Sequence, residues 1–287
     1  MKKMVLSLML SCIGMSALAN QSVVSDATLD QIITRLEKTG KLDKALERVI
    51  DKRAKTEKEN QAKLALEQEK RNQENAKLIP TLRKEDHVLG NRDARYSMIV
   101  YEDLECPFCK VFAEIPEKAI EQIKDLNFIS RANPLPFHMP VAAKEAVLAE
   151  CVAEELGDKG YFDFTRKVFK LTLTNGQGLP EVKETLNIGL MEENALINSF
   201  KKDEKSLFAI AKEVGVKDIR SVFNCYRNKE TSDKIQNLLT ESNKYGINGT
   251  PTTVLKDNKT GRSKMIAGVL PEDAFIQEVN NFIEQSQ

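Results

Sequence analysis

Two cysteines separated by two residues, Cys106-Pro107-Phe108-Cys109, directly follow an apolar run, and this pairing constrains the chain more than any other feature. Ser97-Met98-Ile99-Val100-Tyr101 reads as a short buried strand. Val111, Phe112, Ile115, Ala119, Ile120 and Ile123 then recur at helical spacing, which places Cys106 at a helix N-terminus. There the unpaired backbone N–H groups and the positive end of the helix dipole stabilise a thiolate, so an exposed first cysteine falls below its free pKa of about 8.5. Pro107 suits the first helical position, where no backbone donor is required. Cys109, one turn on, is placed to attack a mixed disulfide formed at Cys106 and release the bound partner.

Such a pair also serves as half of a metal site. Zinc would need a second cysteine pair, or cysteine and histidine, at ligand spacing. The only histidines are His87 and His138, and Cys151 and Cys225 stand apart, so the pattern favours redox chemistry, with no metal and no cofactor required.

The expected compartment agrees. Lys2 and Lys3 precede an apolar stretch from residue 4 to about 18, and Ala17-Leu18-Ala19 is a small-x-small cleavage signal. Residues 1–19 are therefore expected to be a signal peptide, with the mature chain soluble in a bacterial periplasm, where disulfides persist. Cys12 lies within that signal, behind Met9-Leu10-Ser11, a poor context for lipid attachment. Of the five cysteines, Cys106, Cys109, Cys151 and Cys225 would remain. A structural disulfide between Cys151 and Cys225 is expected, since unpaired thiols near a reactive dithiol invite unwanted exchange; a second redox pair is the alternative.

At 287 residues the chain exceeds one typical domain, and a net charge of +0 with no basic stripe argues against nucleic acid as a partner. Much of the charge lies in the first third. Leu29, Ile32, Ile33 and Leu36 form one amphipathic stripe, Gly40 interrupts it, and Leu42, Ala45, Leu46, Val49 and Ile50 form a second. From residue 51 to about 77 Lys, Glu, Gln and Asn dominate, good helix formers with almost no apolar face, until Pro80 ends the run. Such a helix extends on the order of 40 Å at about 1.5 Å per residue. Two short stripes cannot bury themselves alone, so residues 20–80 are expected to form a helical stalk that assembles a homo-oligomer, a dimer or trimer. A solvated spacer is the alternative.

Residues 81–287 change character to a compact α/β domain. Residues 87–90, 97–101 and about 127–132 read as strands, and residues from 140 to about 228 are helical in pattern apart from a Gly- and Asn-rich loop at 174–180. Ala142, Ala146, Ala149, Val152 and Ala153 mark one helix, and Tyr161, Phe164, Val168 and Phe169 another. Leu196, Phe200, Leu207, Ile210, Ala211, Ile219, Val222 and Phe223 continue the set. A helix with Ile235, Leu238, Leu239 and Tyr245 leads to Gly249-Thr250-Pro251, a β-hairpin at 252–256 and 264–267, and a last helix with Ala274, Phe275, Val279, Phe282 and Ile283.

Val88-Leu89-Gly90-Asn91, the run from Ile99 to Cys109 and the downstream Gly249-Thr250-Pro251-Thr252 resemble the DsbA family of thioredoxin-fold disulfide oxidoreductases over roughly residues 86–285. The resemblance implies an α/β thioredoxin fold with a helical insertion at about 140–228, preceded by the N-terminal stalk. It implies Cys106 and Cys109 as catalytic, and Pro251 in cis beside them, with Thr250 pairing to the backbone of a bound peptide. Threonine there is similar to the isomerase-type members DsbC and DsbG, where the dedicated oxidase has valine. The stalk is similar in architecture alone to oligomeric relatives such as ScsC. Exported proteins with cysteines are the implied substrates, and a membrane protein the implied redox partner. Phe108 is expected to line an apolar peptide groove.

One position departs from the pattern. Many thioredoxin-fold enzymes carry a buried carboxylate six residues before the first active cysteine, and Val100 stands there. Glu102, Asp103 and Glu105 are expected to be more solvated, leaving no evident proton acceptor for Cys109. Lys110 is expected on an exposed turn, and His138 is expected to cap the following helix. The sequence thus points to a periplasmic thiol–disulfide oxidoreductase, isomerase and oxidase. A monomeric oxidase, and a copper-holding or chaperone module, remain as alternatives.

Overall fold

The computed structural model describes residues 26–181 and 202–286; the signal-peptide expectation, Leu196 and Phe200 lie outside them. The chain divides into two compact units, Met1–Ala65 and Leu66–Gln287. In the first, α1 (Asp26–Lys38) ends where Gly40 takes φ 63°, a left-handed conformation that glycine adopts without penalty at a helix C-terminus. Helix α2 (Lys41–Leu78) begins there and runs on into the second unit. Leu29, Ile32, Ile33, Leu46, Val49 and Ile50 all remain exposed in the single chain.

The last turns of α2 depart from the polar-helix expectation. Ala76 and Ile79 are fully buried with Ile99, Tyr101, Tyr245, Ile247, Val254 and Met265, forming a core on one face of the sheet. Behind them the chain is clamped. Arg131 pairs with Asp86 at 2.7 Å and donates to the carbonyls of Pro80 and Thr81, while Lys256 donates to the carbonyl of Ile79. These donors satisfy backbone carbonyls just past the end of α2, which no helix hydrogen bond reaches.

The sheet has five strands in the order β1-β3-β2-β4-β5: β1 (His87–Leu89), β2 (Tyr96–Glu102), β3 (Leu126–Ala132), β4 (Thr252–Asp257) and β5 (Ser263–Ala267). Strand β2 is central, parallel to β3 and antiparallel to β4, with Val100 opposite Ser130 on one side and Thr253 on the other. Its residues alternate between two cores as strand geometry requires: Met98 and Val100 enter the larger cluster, Ile99 and Tyr101 the one closed by α2.

The crossover from β2 to β3 contains two helices, α3 (Pro107–Phe112) and α4 (Ile115–Gln122), where the periodicity predicts one. Pro116 in the first turn of α4 explains the break, since proline starts a helix readily but resists continuing one. A 3-10 turn (Pro136–His138) leads to α5 (Val141–Leu171), which is interrupted at Gly157, where φ is 70° and ψ −164°. Helices α6 (Lys202–Glu213) and α7 (Ile219–Arg227) lie in the insertion, α8 (Lys229–Lys244) leads on to β4, and α9 (Glu272–Glu284) packs Phe275 edge-on against Phe112. Cys151 on α5 and Cys225 on α7 are joined in a disulfide, as the sequence predicts. Among the described residues, no helix is long and apolar enough to cross a membrane.

Candidate active site

The loop between β2 and α3 is short, and its backbone serves both thiols. Cys106 is the N-cap of α3 and Pro107 its first residue. The Cys106 N–H donates to the carbonyl of Asp103 at 3.0 Å, and the Asp103 N–H points to Cys109 Sγ at 3.5 Å. Across from them the Thr250–Pro251 bond is cis, and Cys106 Sγ donates to the Thr250 carbonyl at 3.4 Å. The Thr250 hydroxyl is buried and has no hydrogen-bond partner.

The two thiols are driven in opposite directions. Cys106 is lowered to about 6, chiefly by the hydrogen bond from the Cys109 thiol. Burial opposes this, and the Thr250 hydroxyl and the N–H groups of Cys109 and Phe108 assist. The helix N-terminus therefore contributes as expected, but the partner thiol contributes more. Cys109 is pushed well above its ordinary range, first by burial and then by Cys106. Nor is Cys106 exposed, as the sequence reading supposed: it is only 3% accessible, because the Thr250–Pro251 turn covers it.

Phe108 is 64% exposed, in keeping with a surface rather than a core role. Val111 on α3, Phe137 and Met139 around the 3-10 turn, and Leu171 and Leu173 at the end of α5 are exposed as well. Lys110 is not simply solvated, since its ammonium donates to the Thr172 carbonyl at 2.7 Å and ties α3 to the end of α5. Asn175 N–H on the Glu105 carbonyl at 2.8 Å brings the 174–178 loop to the same place.

The expectation of solvated acids is overturned. Glu102, Asp103 and Glu105 are all buried: Glu102 is the last residue of β2, and the loop carrying Asp103 and Glu105 is roofed by the 3-10 turn and the 172–178 segment, which supply donors to those two. Asp103 accepts from the N–H groups of Leu135 (2.7 Å) and Glu105 (2.8 Å) and lies 2.7 Å from His138 Nδ1. Glu105 accepts from the Thr172 hydroxyl and, at 3.0 Å, the Gly178 N–H. Glu102 is held by the Ser130 hydroxyl and raised to about 7 by burial. His138 does not cap α5, whose N-cap is Pro140 without a side-chain bond; it turns inward to Asp103 instead.

Glu145 was missed altogether. It is 1% exposed, in the second turn of α5, with neither carboxyl oxygen hydrogen-bonded. Its signal is present in the sequence: it stands three residues after Ala142 and four before Ala149, on the apolar stripe.

A separate cleft of about 800 Å³ shares no residue with the dithiol. Three ion pairs line it, Arg83 with Glu241, Arg92 with Asp158 and Lys234 with Glu150.

Residues 81–270 match the family model described as thioredoxin. Pseudomonas aeruginosa DsbA2 superposes with a TM-score of 0.52 at 25% identity, over 70% of this chain and 94% of that one. The catalytic domain of Proteus mirabilis ScsC gives 0.51 at 23%, over 70% and 91%. A linker-deletion mutant of Proteus mirabilis ScsC gives 0.50 at 20%, over 93% of this chain and all 100% of that one. A sequence match to the Na(+)/H(+) antiporter NhaA 3 of Salinispora tropica, 30% identical over 78 residues, spans 27% of this chain and only 12% of the antiporter.

Proposed function

This chain belongs to the thioredoxin family, with the DsbA- and ScsC-type oxidoreductase fold, and on that premise we propose that it is a periplasmic thiol–disulfide oxidoreductase that both isomerises and oxidises disulfides in exported proteins. One observation carries the reading: Cys106, lowered to about 6, sits on a helix N-terminus against the Thr250 carbonyl, with Cys109 protonated and buried behind it.

An extended substrate segment pairs with the backbone beside cis-Pro251, its apolar side chains resting on Phe108 and the exposed residues around it. The Cys106 thiolate attacks one sulfur of a substrate disulfide, forming a mixed disulfide and releasing the other sulfur as a thiolate. That thiolate then attacks a different substrate disulfide, which is isomerisation. Alternatively Cys109, on losing its proton, attacks Cys106 Sγ; the substrate leaves reduced and the enzyme holds a Cys106–Cys109 disulfide. Run in reverse, that disulfide oxidises a substrate dithiol, and a membrane redox partner reoxidises the enzyme.

The N-terminal unit supports assembly. Its apolar stripes are unburied in one chain, and another copy would cover them. Several dithiols facing one misfolded client raise effective concentration without a new bond. The test is deletion of residues 20–65, which spares Ala76 and Ile79. A folded monomer that still oxidises dithiols but loses most repair of a scrambled disulfide substrate is expected. An unchanged oligomeric mass, or a monomeric full-length protein, refutes the assembly. Deletion through residue 80 also removes part of the second core, with a stability loss of about 3 kcal/mol or more.

A further inference from the structure

We propose that Glu145 and Glu105 form a proton-sharing carboxylic acid pair beneath the dithiol, with Glu145 the neutral member, and that this pair sets how much negative charge stands beside the Cys106 thiolate. The inference rests on Cys106 being the reactive thiolate. Glu145 is 1% exposed and neither of its oxygens has a donor, a condition that an ionised carboxylate does not tolerate. Of the neighbouring charges, that of Glu105 opposes its ionisation most. Glu105 already takes the Thr172 hydroxyl and the Gly178 N–H, so the place for a proton is on Glu145, which has neither. Two carboxylates sharing a dry site cannot both ionise. Burial pushes the Glu145 acid well above the carboxylate range, and Glu105 and then Asp103 push it further.

Among the described residues, no cation forms an ion pair with either carboxyl. From α3, the Lys110 ammonium is tied to the Thr172 carbonyl at 2.7 Å. From α5 itself, Lys144 lies 3.7 Å from Glu204 of α6. His138 of the 3-10 turn is on Asp103, and Glu102 of β2 is on Ser130. Glu105 precedes Cys106 in the chain, so the charge of the pair is felt at the nucleophile. Glu145 is thus a positioning residue: as an acid it keeps Glu105 on the 172–178 wall and holds the pair at a single negative charge.

Sharing has a signature that independent carboxylates lack. Glutamine at 145 supplies the amide hydrogen that the neutral acid supplied and leaves the negative charge of Glu105, whereas glutamine at 105 removes that charge, because burial keeps Glu145 protonated. Glu145→Gln should leave the midpoint of Cys106 alkylation against pH within about 0.3 unit of the unsubstituted protein. Glu105→Gln and the double variant should both lower it by about one unit, the effect of a unit charge on the order of 10 Å away at an effective dielectric near 20. If Glu145→Gln lowers the midpoint as Glu105→Gln does, both carboxylates are charged and the proposal is wrong.

Infrared spectroscopy decides the matter even where the double variant fails to fold. At about pH 9, above the range in which Glu102 titrates, the unsubstituted protein should show a protonated carboxyl band, lost in Glu145→Gln and shifted in Glu105→Gln, where the acceptor of its hydrogen bond changes. Absence of the band, its survival in Glu145→Gln, or an unshifted band in Glu105→Gln overturns the pair. Should Cys106 titrate like a free thiol, the oxidoreductase reading fails separately, and the band still reports on the pair.

Discussion

Two cysteine pairs occupy one chain and are built for opposite ends. Cys106 and Cys109 lie one helical turn apart as free thiols, on a loop where backbone N–H groups, a neighbouring hydroxyl and a partner thiol all favour one thiolate. Cys151 and Cys225 lie 74 residues apart in sequence, joined, and tie α5 to α7 inside the helical insertion. Sequence separation and surroundings, rather than the sulfur chemistry itself, separate the two roles. A short loop at a helix N-terminus changes reactivity, while a long closed loop changes the entropy of the unfolded chain.

The sharpest break in this comparison comes from removing one sulfur from each pair. Cys106→Ala should reduce disulfide exchange by about a thousandfold or more, since a covalent route without its nucleophile has no partial form. Stability of the reduced form at pH 5, where Cys106 carries no charge, should barely change. Conversely, replacing Cys151 and Cys225 together by alanine should leave exchange at low temperature near its original rate but lower stability by about 4 kcal/mol on the chain-entropy argument. Denaturant midpoints and an exchange assay on both variants check this. A Cys151/Cys225 variant with exchange as poor as Cys106→Ala would make the second pair redox-active.

Much of this contrast is legible in the sequence. The apolar run at 97–101, the break at Pro80 and the two-residue spacing of the dithiol give the strand, the helix end and the placement of Cys106 at a helix N-terminus from local chemistry alone. What escaped depends on tertiary cover. Glu102, Asp103 and Glu105 look solvated because acids near a turn usually are; the 3-10 turn and the 172–178 segment, distant in sequence, bury Asp103 and Glu105 and provide donors, and Ser130 on β3 does so for Glu102. His138 looks like a cap for the same reason. Ala76 and Ile79 are lost in a polar run, since two apolar residues make no stripe until a sheet face meets them.

A smaller effect sharpens the dithiol side. The reduced protein carries a thiolate at Cys106 with a midpoint of about 6, against an ordinary value near 9 when unfolded. Between those values the unfolded chain binds the extra proton, so stability of the reduced form rises with pH; below 6 the contribution is absent. The oxidised form has no such group. Reduced minus oxidised stability should therefore increase by about 2 kcal/mol between pH 5 and 8. Glu102, raised from 4.5 to about 7, acts oppositely: the folded protein binds the extra proton, so stability falls as pH rises from 4.5 to 7, in both redox forms. That common slope cancels in the difference and should vanish in Glu102→Gln. A redox-independent pH profile would mean that Cys106 is no thiolate.

The smallest expected effect isolates one hydroxyl. Thr250 faces the thiols with a buried hydroxyl that has no partner in the structure, and it stands among the groups that favour the Cys106 thiolate. Valine has the same shape, so Thr250→Val should fold normally, and losing an unpartnered buried hydroxyl should cost nothing and stabilise by up to about 1 kcal/mol. The thiolate, however, loses a hydroxyl that can turn to donate to it once Cys106 ionises. Its midpoint should rise by about 0.4 unit, and because a less stabilised thiolate makes a weaker oxidant, the reduction potential should become more negative by on the order of 10 mV. The Cys151–Cys225 pair, which no such donor serves, should be unaffected. An unchanged alkylation midpoint together with an unchanged potential would assign the effect of position 250 to its backbone carbonyl alone, which meets Cys106 Sγ at 3.4 Å and which valine retains.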